Sequence, residues 1–167
     1  MDTFVSKIHL GIDKQAQNVV KLLCTKKLRL CTAESCTGGL LSGAVTGIEG
    51  ASEVFDLGIC AYANDIKQSK LSVCAETLEE FGAVSAQCAA EMALGARRAS
   101  GAEVGVSVTG IAGPGGGSAE KPVGTVFLAC SYEEKLSTLH LKIDGNREYI
   151  RLETVRQALV LILSTIN

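Results

Sequence analysis

Apolar residues recur at helical spacing near both ends of the chain and gather between them into short runs bounded by polar or glycine-rich stretches. Ile8, Ile12, Val19, Leu22 and Leu23 share one side of a 3.6-residue period, so residues 5–26 read as an amphipathic helix. LRLCTAE at 28–34 has the length and flanks of a buried strand, and residues 37–45 read as a helix that stops near Gly47 and Gly50. VFDLGICAYA at 54–63 is a second strand, after which Asn64 and Asp65 offer caps for a helix holding Lys67 and Leu71. TLEE at 77–80 has capping-box spacing and opens a helical turn ended by Gly82.

Ser85 caps a small-residue helix with Cys88, Met92 and Ala96 on one face. AEVGVSVTG at 102–110 is a strand that runs into a glycine-rich loop. VGTVFLACS at 123–131 and KLSTLHLKI at 135–143 follow as strands of a hairpin turning at Glu133 and Glu134. Leu152, Val155, Leu159 and Ile162 mark a C-terminal helix. Strands that alternate with helices and end as an adjacent pair predict one α/β domain over residues 1–167. Its expected form is a three-layer α/β/α sandwich around a mixed, mostly parallel sheet.

Composition fits that architecture. Hydrophobic residues make up 47% of the 167 and aromatics only 4%, with no Trp, so Ala, Val, Ile and Leu must build the core. Net charge is −2, with no basic run or basic–aromatic interleaving, which disfavours nucleic acid as a partner. The seven cysteines form no C-x-x-C pair, and most sit in apolar runs. They read as small buried hydrophobes in a reducing compartment, not as disulfides or a metal site. Charges come too early for a secretory signal, and no apolar run approaches the ~20 residues that span a membrane. A cytoplasmic protein without a membrane partner is the expectation.

Three places could carry chemistry. TAESCTGG at 32–39 sets Glu34, Ser35 and Cys36 side by side at a strand-to-helix junction, where open α/β sheets place ligands. Backbone N–H groups from Cys36 to Gly39 would face outward and could receive an oxyanion or a phosphate. The competing reading makes Ser35 or Thr37 a plain N-cap. A serine nucleophile needs a base. Of the two histidines, His140 alternates toward solvent and His9 lies in the first helix, which argues against a Ser-His-Asp triad. Lys67, near a helix start that disfavours an ammonium, is the best-placed base, with a solvated surface charge as the alternative. Ser118 and Lys121 form a literal S-x-x-K, but three glycines precede it and Pro122 breaks it, so it reads as a chance match. Cys36 is the rival nucleophile, with only a helix N-terminus to activate it.

The second place, TGIAGPGGGSAEKPVG at 109–124, is neither a P-loop nor a dinucleotide fingerprint. It reads as a flexible hairpin tip or as an anion nest helped by Thr109, Ser118 and Lys121. The third is DGNRE at 144–148. There Arg147 could reach a phosphate, or be solvated beside a capping Asp144 or Asn146.

In order, TAESCTGGL, YANDIK, VSVTGIAGPGGGSAEKPVGTVFLA and GNRE resemble the C-terminal domain of the CinA (competence/damage-inducible) family over essentially the whole chain. Stand-alone members are nicotinamide mononucleotide deamidases of the PncC type. The resemblance implies an amidohydrolase of pyridine nucleotide salvage that uses neither metal nor cofactor and makes nicotinate mononucleotide and ammonia. It implies Ser35 as nucleophile, Lys67 as base, Ser52 assisting them and Tyr62 from the Y-x-N-x-x-K element. Cys36, Thr37 and Gly38 would line the substrate site. Thr109, Gly110, Ile111, Ala112 and Gly113 match the substrate loop, and Arg147 an arginine associated with the phosphate. Ala51 and Ala63 stand where the family commonly has serine. The nucleotide-hydrolysing N-terminal domain of long members is expected to be absent, and its activity with it. Small α/β enzymes commonly form symmetric dimers, and a homodimer is expected. Two alternatives stay open: a non-catalytic nucleotide- or protein-binding regulatory module of competence or DNA-damage physiology, and a Cys36 or Ser-His hydrolase of another amide.

Overall fold

The computed structural model describes residues 3–167, with side chains from residue 6 onward. Strands β1 (Leu30–Glu34), β2 (Phe55–Cys60), β3 (Val104–Gly110), β4 (Thr125–Tyr132) and β5 (Lys135–Lys142) form one sheet in the order β2-β1-β3-β4-β5. β1 runs parallel to β2 and β3, whereas β4 is antiparallel to β3 and β5. Four strands thus point one way and β4 alone is reversed, giving the mixed, mostly parallel sheet that the pattern predicts.

Helices α1 (Thr3–Lys26), α2 (Leu40–Thr46) and α6 (Arg147–Ile166) cover one face. Helices α3 (Asn64–Leu71) and α5 (Ala86–Ser100) cover the other, with short α4 (Ala75–Glu80) against α5. Alternation along β1 divides the layers: Leu30 joins the α1/α6 core, while Cys31 and Ala33 join the α3/α5 core. Fully burying a large aliphatic side chain is worth ~1.5–3 kcal/mol. Leu23, Leu41, Ile150, Leu159 and Ile162 do this in the first layer. In the second, a Cβ on Gly95 would lie 1.9 Å from the Leu71 carbonyl oxygen. Only glycine lets α5 cross the end of α3 so closely, and that contact sets where α3 carries Lys67.

Three local expectations need correction. Residues 36–39 form a turn, and α2 starts only at Leu40 behind Gly39 at φ 97°, a left-handed value that ends any regular approach to a helix. The cap of α3 is Ala63, and Asn64 and Asp65 are its first helical residues. Helix α4 begins at Ala75, so Thr77 is inside it. Glu91 of α5 accepts the Cys74 N–H at 2.7 Å and the Thr77 hydroxyl at 2.6 Å, a tertiary partner in place of a capping box. Ser85 and Asn146 do cap α5 and α6, accepting from the N–H groups of Cys88 and Tyr149.

Candidate active site

Alternation along β1 separates the three reactive neighbours at its end. Glu34 points to the α2 side, where Oε2 accepts from the Thr37 hydroxyl (2.6 Å), Gly39 N–H (3.0 Å) and Leu41 N–H (3.0 Å). Its Oε1 accepts from Ser42 N–H (2.8 Å) and Ser42 Oγ (2.6 Å). A fully buried carboxylate needs donors of this number to replace water. Glu34 is therefore the clamp of the 36–42 segment and is no base for the serine.

Ser35, one step on, faces the α3/α5 layer. Its N–H donates to the Val108 carbonyl, and the Ala61 N–H donates to the Glu34 carbonyl, so pairing runs one residue past β1 on both sides. This brings Ala61 and Tyr62 beside Ser35. Lys67, reaching back from α3, donates from Nζ to the Ala61 carbonyl at 2.8 Å, the Tyr62 carbonyl at 3.1 Å and Ser35 Oγ at 3.1 Å. Lys67 is 1% exposed and Ser35 9%. No carboxylate pairs with the amine among the described residues, and burial pushes its pKa below the ordinary 10.5. A neutral amine has two N–H groups; the two carbonyls can take both, leaving its lone pair for the serine proton.

The rival nucleophile is handicapped. Burial pushes the Cys36 thiol up to about 11, so it stays protonated at neutral pH. His140 stacks flat on Phe127 at 4.3 Å on an exposed stretch of β5, and His9 lies exposed on α1. Neither reaches Ser35. The S-x-x-K of the glycine-rich loop is a local turn: Ser118 Oγ accepts the Lys121 N–H at 3.0 Å, and Lys121 Nζ holds the Phe81 carbonyl at 2.7 Å.

Ser35 and Lys67 open onto a cleft of about 220 Å³. Cys36, Tyr62, Thr109, Gly110, Ala112 and Arg147 line it, as the sequence motifs lead one to expect. Arg147, the first residue of α6, donates to the Gly113 carbonyl at 2.7 Å and to the Tyr62 hydroxyl at 3.4 Å, tying the glycine-rich loop to the exposed tyrosine at the cleft mouth. The Thr109 hydroxyl faces inward and donates to the Ala83 carbonyl at 2.7 Å. Ile111, Gly113, Thr37 and Gly38 are not among its lining residues, and Gly113 meets it through the Arg147 contact. Ser52 is not brought there. It lies in a 3₁₀ turn (Ala51–Glu53) before β2, at the opposite end of the sheet from Ser35, where its carbonyl accepts from Arg29, itself paired with Asp56.

Other residues of the site escaped sequence reasoning. Asn64, Ala83 and Val84 complete the lining, and they become neighbours only when α5 docks. Arg151 donates from Nε to the Cys36 carbonyl (3.0 Å) and from Nη2 to the Thr37 carbonyl (2.8 Å). Its signal was available, since it stands four residues after Arg147 and so shares a helix face with it. Among the described residues, no three His, Cys, Asp or Glu side chains gather as a metal site, and no helix is long and apolar enough to cross a membrane.

Fold and site together define a single-sheet α/β protein with a buried serine–lysine pair at the carboxyl end of β1. The CinA C-terminal domain matches residues 12–166, and the chain belongs to that family. A CinA-like protein of Thermotoga maritima is 46% identical over 147 residues, 88% of this chain and 36% of that one. The chain thus spans about a third of the length of such curated relatives. The crystal structure of the competence/damage inducible protein CihA from Agrobacterium tumefaciens superposes with a TM-score of 0.92 at 46% identity, covering 94% of this chain and 96% of that one. A CinA superfamily protein from Escherichia coli superposes at 0.88 with 36% identity, covering 91% and 88%.

Proposed function

We propose that this protein is a nicotinamide mononucleotide amidohydrolase working through Ser35 and Lys67. The observation that carries the reading is the 3.1 Å contact between a buried amine without a carboxylate and a serine hydroxyl at a cleft floor. Neutral Lys67 takes the proton from Ser35 Oγ as that oxygen bonds to the carboxamide carbon, which the cationic pyridinium ring makes more electrophilic. The carbon–nitrogen bond then breaks, and Lys67 returns the proton to the departing ammonia. Water, deprotonated by the same amine, opens the acyl-enzyme to nicotinate mononucleotide and regenerates Ser35.

The cleft supports a partial fit. At about 220 Å³ it is smaller than the ~300–1,000 Å³ of pockets that enclose a whole small molecule. It takes the pyridine amide and leaves ribose and phosphate at the mouth, within the sphere of exposed Arg147. The test is ammonia and nicotinate mononucleotide release by purified protein, with free nicotinamide and its riboside as comparison substrates. Turnover of the nucleotide above both supports the assignment. Equal turnover of all three would overturn the phosphate role, and none at all would overturn the activity.

A further inference from the structure

The turn after Ser35 is held from two sides. On one, Glu34 takes the Thr37 hydroxyl and the N–H groups of Gly39, Leu41 and Ser42. On the other, the half-buried Arg151 spans the carbonyls of Cys36 and Thr37 with Nε and Nη2. In a trans peptide the carbonyl and the N–H that follows it point opposite ways. Fixing the Cys36 carbonyl therefore aims the Thr37 N–H away from Arg151. The Cys36 N–H is fixed in turn, because the Ser35 carbonyl in the same peptide accepts the Gly38 N–H at 3.1 Å. Gly38 and Gly39 are thus occupied, while the N–H groups of Cys36 and Thr37 have no acceptor in any other described residue. They stand in the two residues immediately after the hydroxyl that Lys67 contacts.

We propose that Arg151 is a positioning residue that presets the Cys36 and Thr37 N–H groups as the oxyanion hole for a tetrahedral centre on Ser35. Its planar fork reaches two carbonyls at once, which the single ammonium of a lysine does not do at fixed geometry. A Cβ added at Gly38 would lie 3.6 Å from Arg151 Nη2, an ordinary contact distance, so the fork packs directly against this turn. The inference rests on Ser35 being the nucleophile, but not on the identity of the amide.

The experiment is a stopped-flow acylation burst with p-nitrophenyl acetate. In it Ser35 Oγ bonds to the acetyl carbon, p-nitrophenolate leaves and the serine proton passes to Lys67. Wild type, Arg151→Met, Arg151→Lys and the control Arg156→Met are compared, the last removing an arginine of the same helix that pairs with Glu153 instead. Losing an oxyanion donor costs ~10²–10³-fold in rate, and the burst rate of Arg151→Met should fall by at least ~10-fold toward that range. Ester saturation should stay unchanged, and added guanidinium ion should restore part of the rate. Arg151→Lys should be slow with an unchanged melting temperature, which carries the test if the methionine variant does not fold. Arg156→Met should acylate normally. A wild-type burst rate in Arg151→Met, a loss confined to ester saturation, no response to guanidinium, or no burst in wild type would each overturn the proposal. A normal burst with Arg151 dependence but no ammonia from nicotinamide mononucleotide would remove the substrate assignment and leave this inference standing.

Discussion

Two serine–lysine pairs of this molecule are opposites. Ser118 and Lys121 are three residues apart, in an exposed loop, and their contact runs from the lysine backbone to the serine hydroxyl. The lysine amine goes elsewhere, to the Phe81 carbonyl, in a part-buried contact. Ser35 and Lys67 are 32 residues apart, and their side chains meet at 3.1 Å in the interior. In the second pair burial removes the solvent that stabilises an ammonium and so changes the chemistry of the amine. Proximity along the chain made a turn. Proximity in space, away from solvent, set an amine of lowered pKa against a hydroxyl.

Breaking the buried pair at the serine has the largest expected effect. Ser35→Ala should lower ammonia release by ~10⁴-fold or more, as removal of a covalent nucleophile does, with an unchanged circular dichroism spectrum. Retained turnover would mean water attacks directly. Next comes the amine: Lys67→Met should cost ~10²–10⁴-fold in kcat, the range of a general base. It should also change the pH profile. In wild type, kcat should rise with pH as Lys67 loses its proton, and the rise should lie below 10.5 because burial depresses the folded-state pKa. Folding stability has the same sign. Between the folded value and 10.5 the unfolded chain binds more protons, so stability increases with pH through that window. Urea midpoints across this window should rise in wild type more steeply than in Lys67→Met.

The cleft mouth comes third. Hydrogen bonds to charged groups are worth ~1.5–3 kcal/mol, so Arg147→Gln should raise KM for the phosphorylated substrate by ~10-fold or more while hardly altering turnover of the phosphate-free riboside. An equal rise for both would make Arg147 a loop anchor through Gly113 alone. The exposed pair should matter least. Ser118→Ala should leave kcat unchanged and shift stability by no more than ~0.5 kcal/mol, as surface substitutions do. A large loss of kcat there would erase the contrast between the two pairs.

Much of this was legible in the chain. The length and flanks of β1 and the 3.6-residue stripes of α1 and α6 announce buried surfaces, and burying them is what the layers are for. Residue type at the junctions singles out Ser35, Lys67 and Arg147 as candidates, because open α/β sheets place ligands at the carboxyl ends of their strands, and the family resemblance adds Tyr62. The start of α2 was misread because a buried carboxylate, not local propensity, satisfies its first N–H groups. Ser52 was drawn into the site by its motif and excluded by the direction of β2.

The sequence by itself determined the layers, the parallel core and the kinds of groups that gather at one end of the sheet, since each follows from local periodicity and side-chain chemistry. Only the tertiary structure decided which lysine meets which serine, that Glu34 clamps rather than catalyses, and that Arg151 grips the turn from 115 residues away. Those outcomes depend on where a carbonyl or an amine lands after packing excludes water, and no spacing along the chain encodes that position.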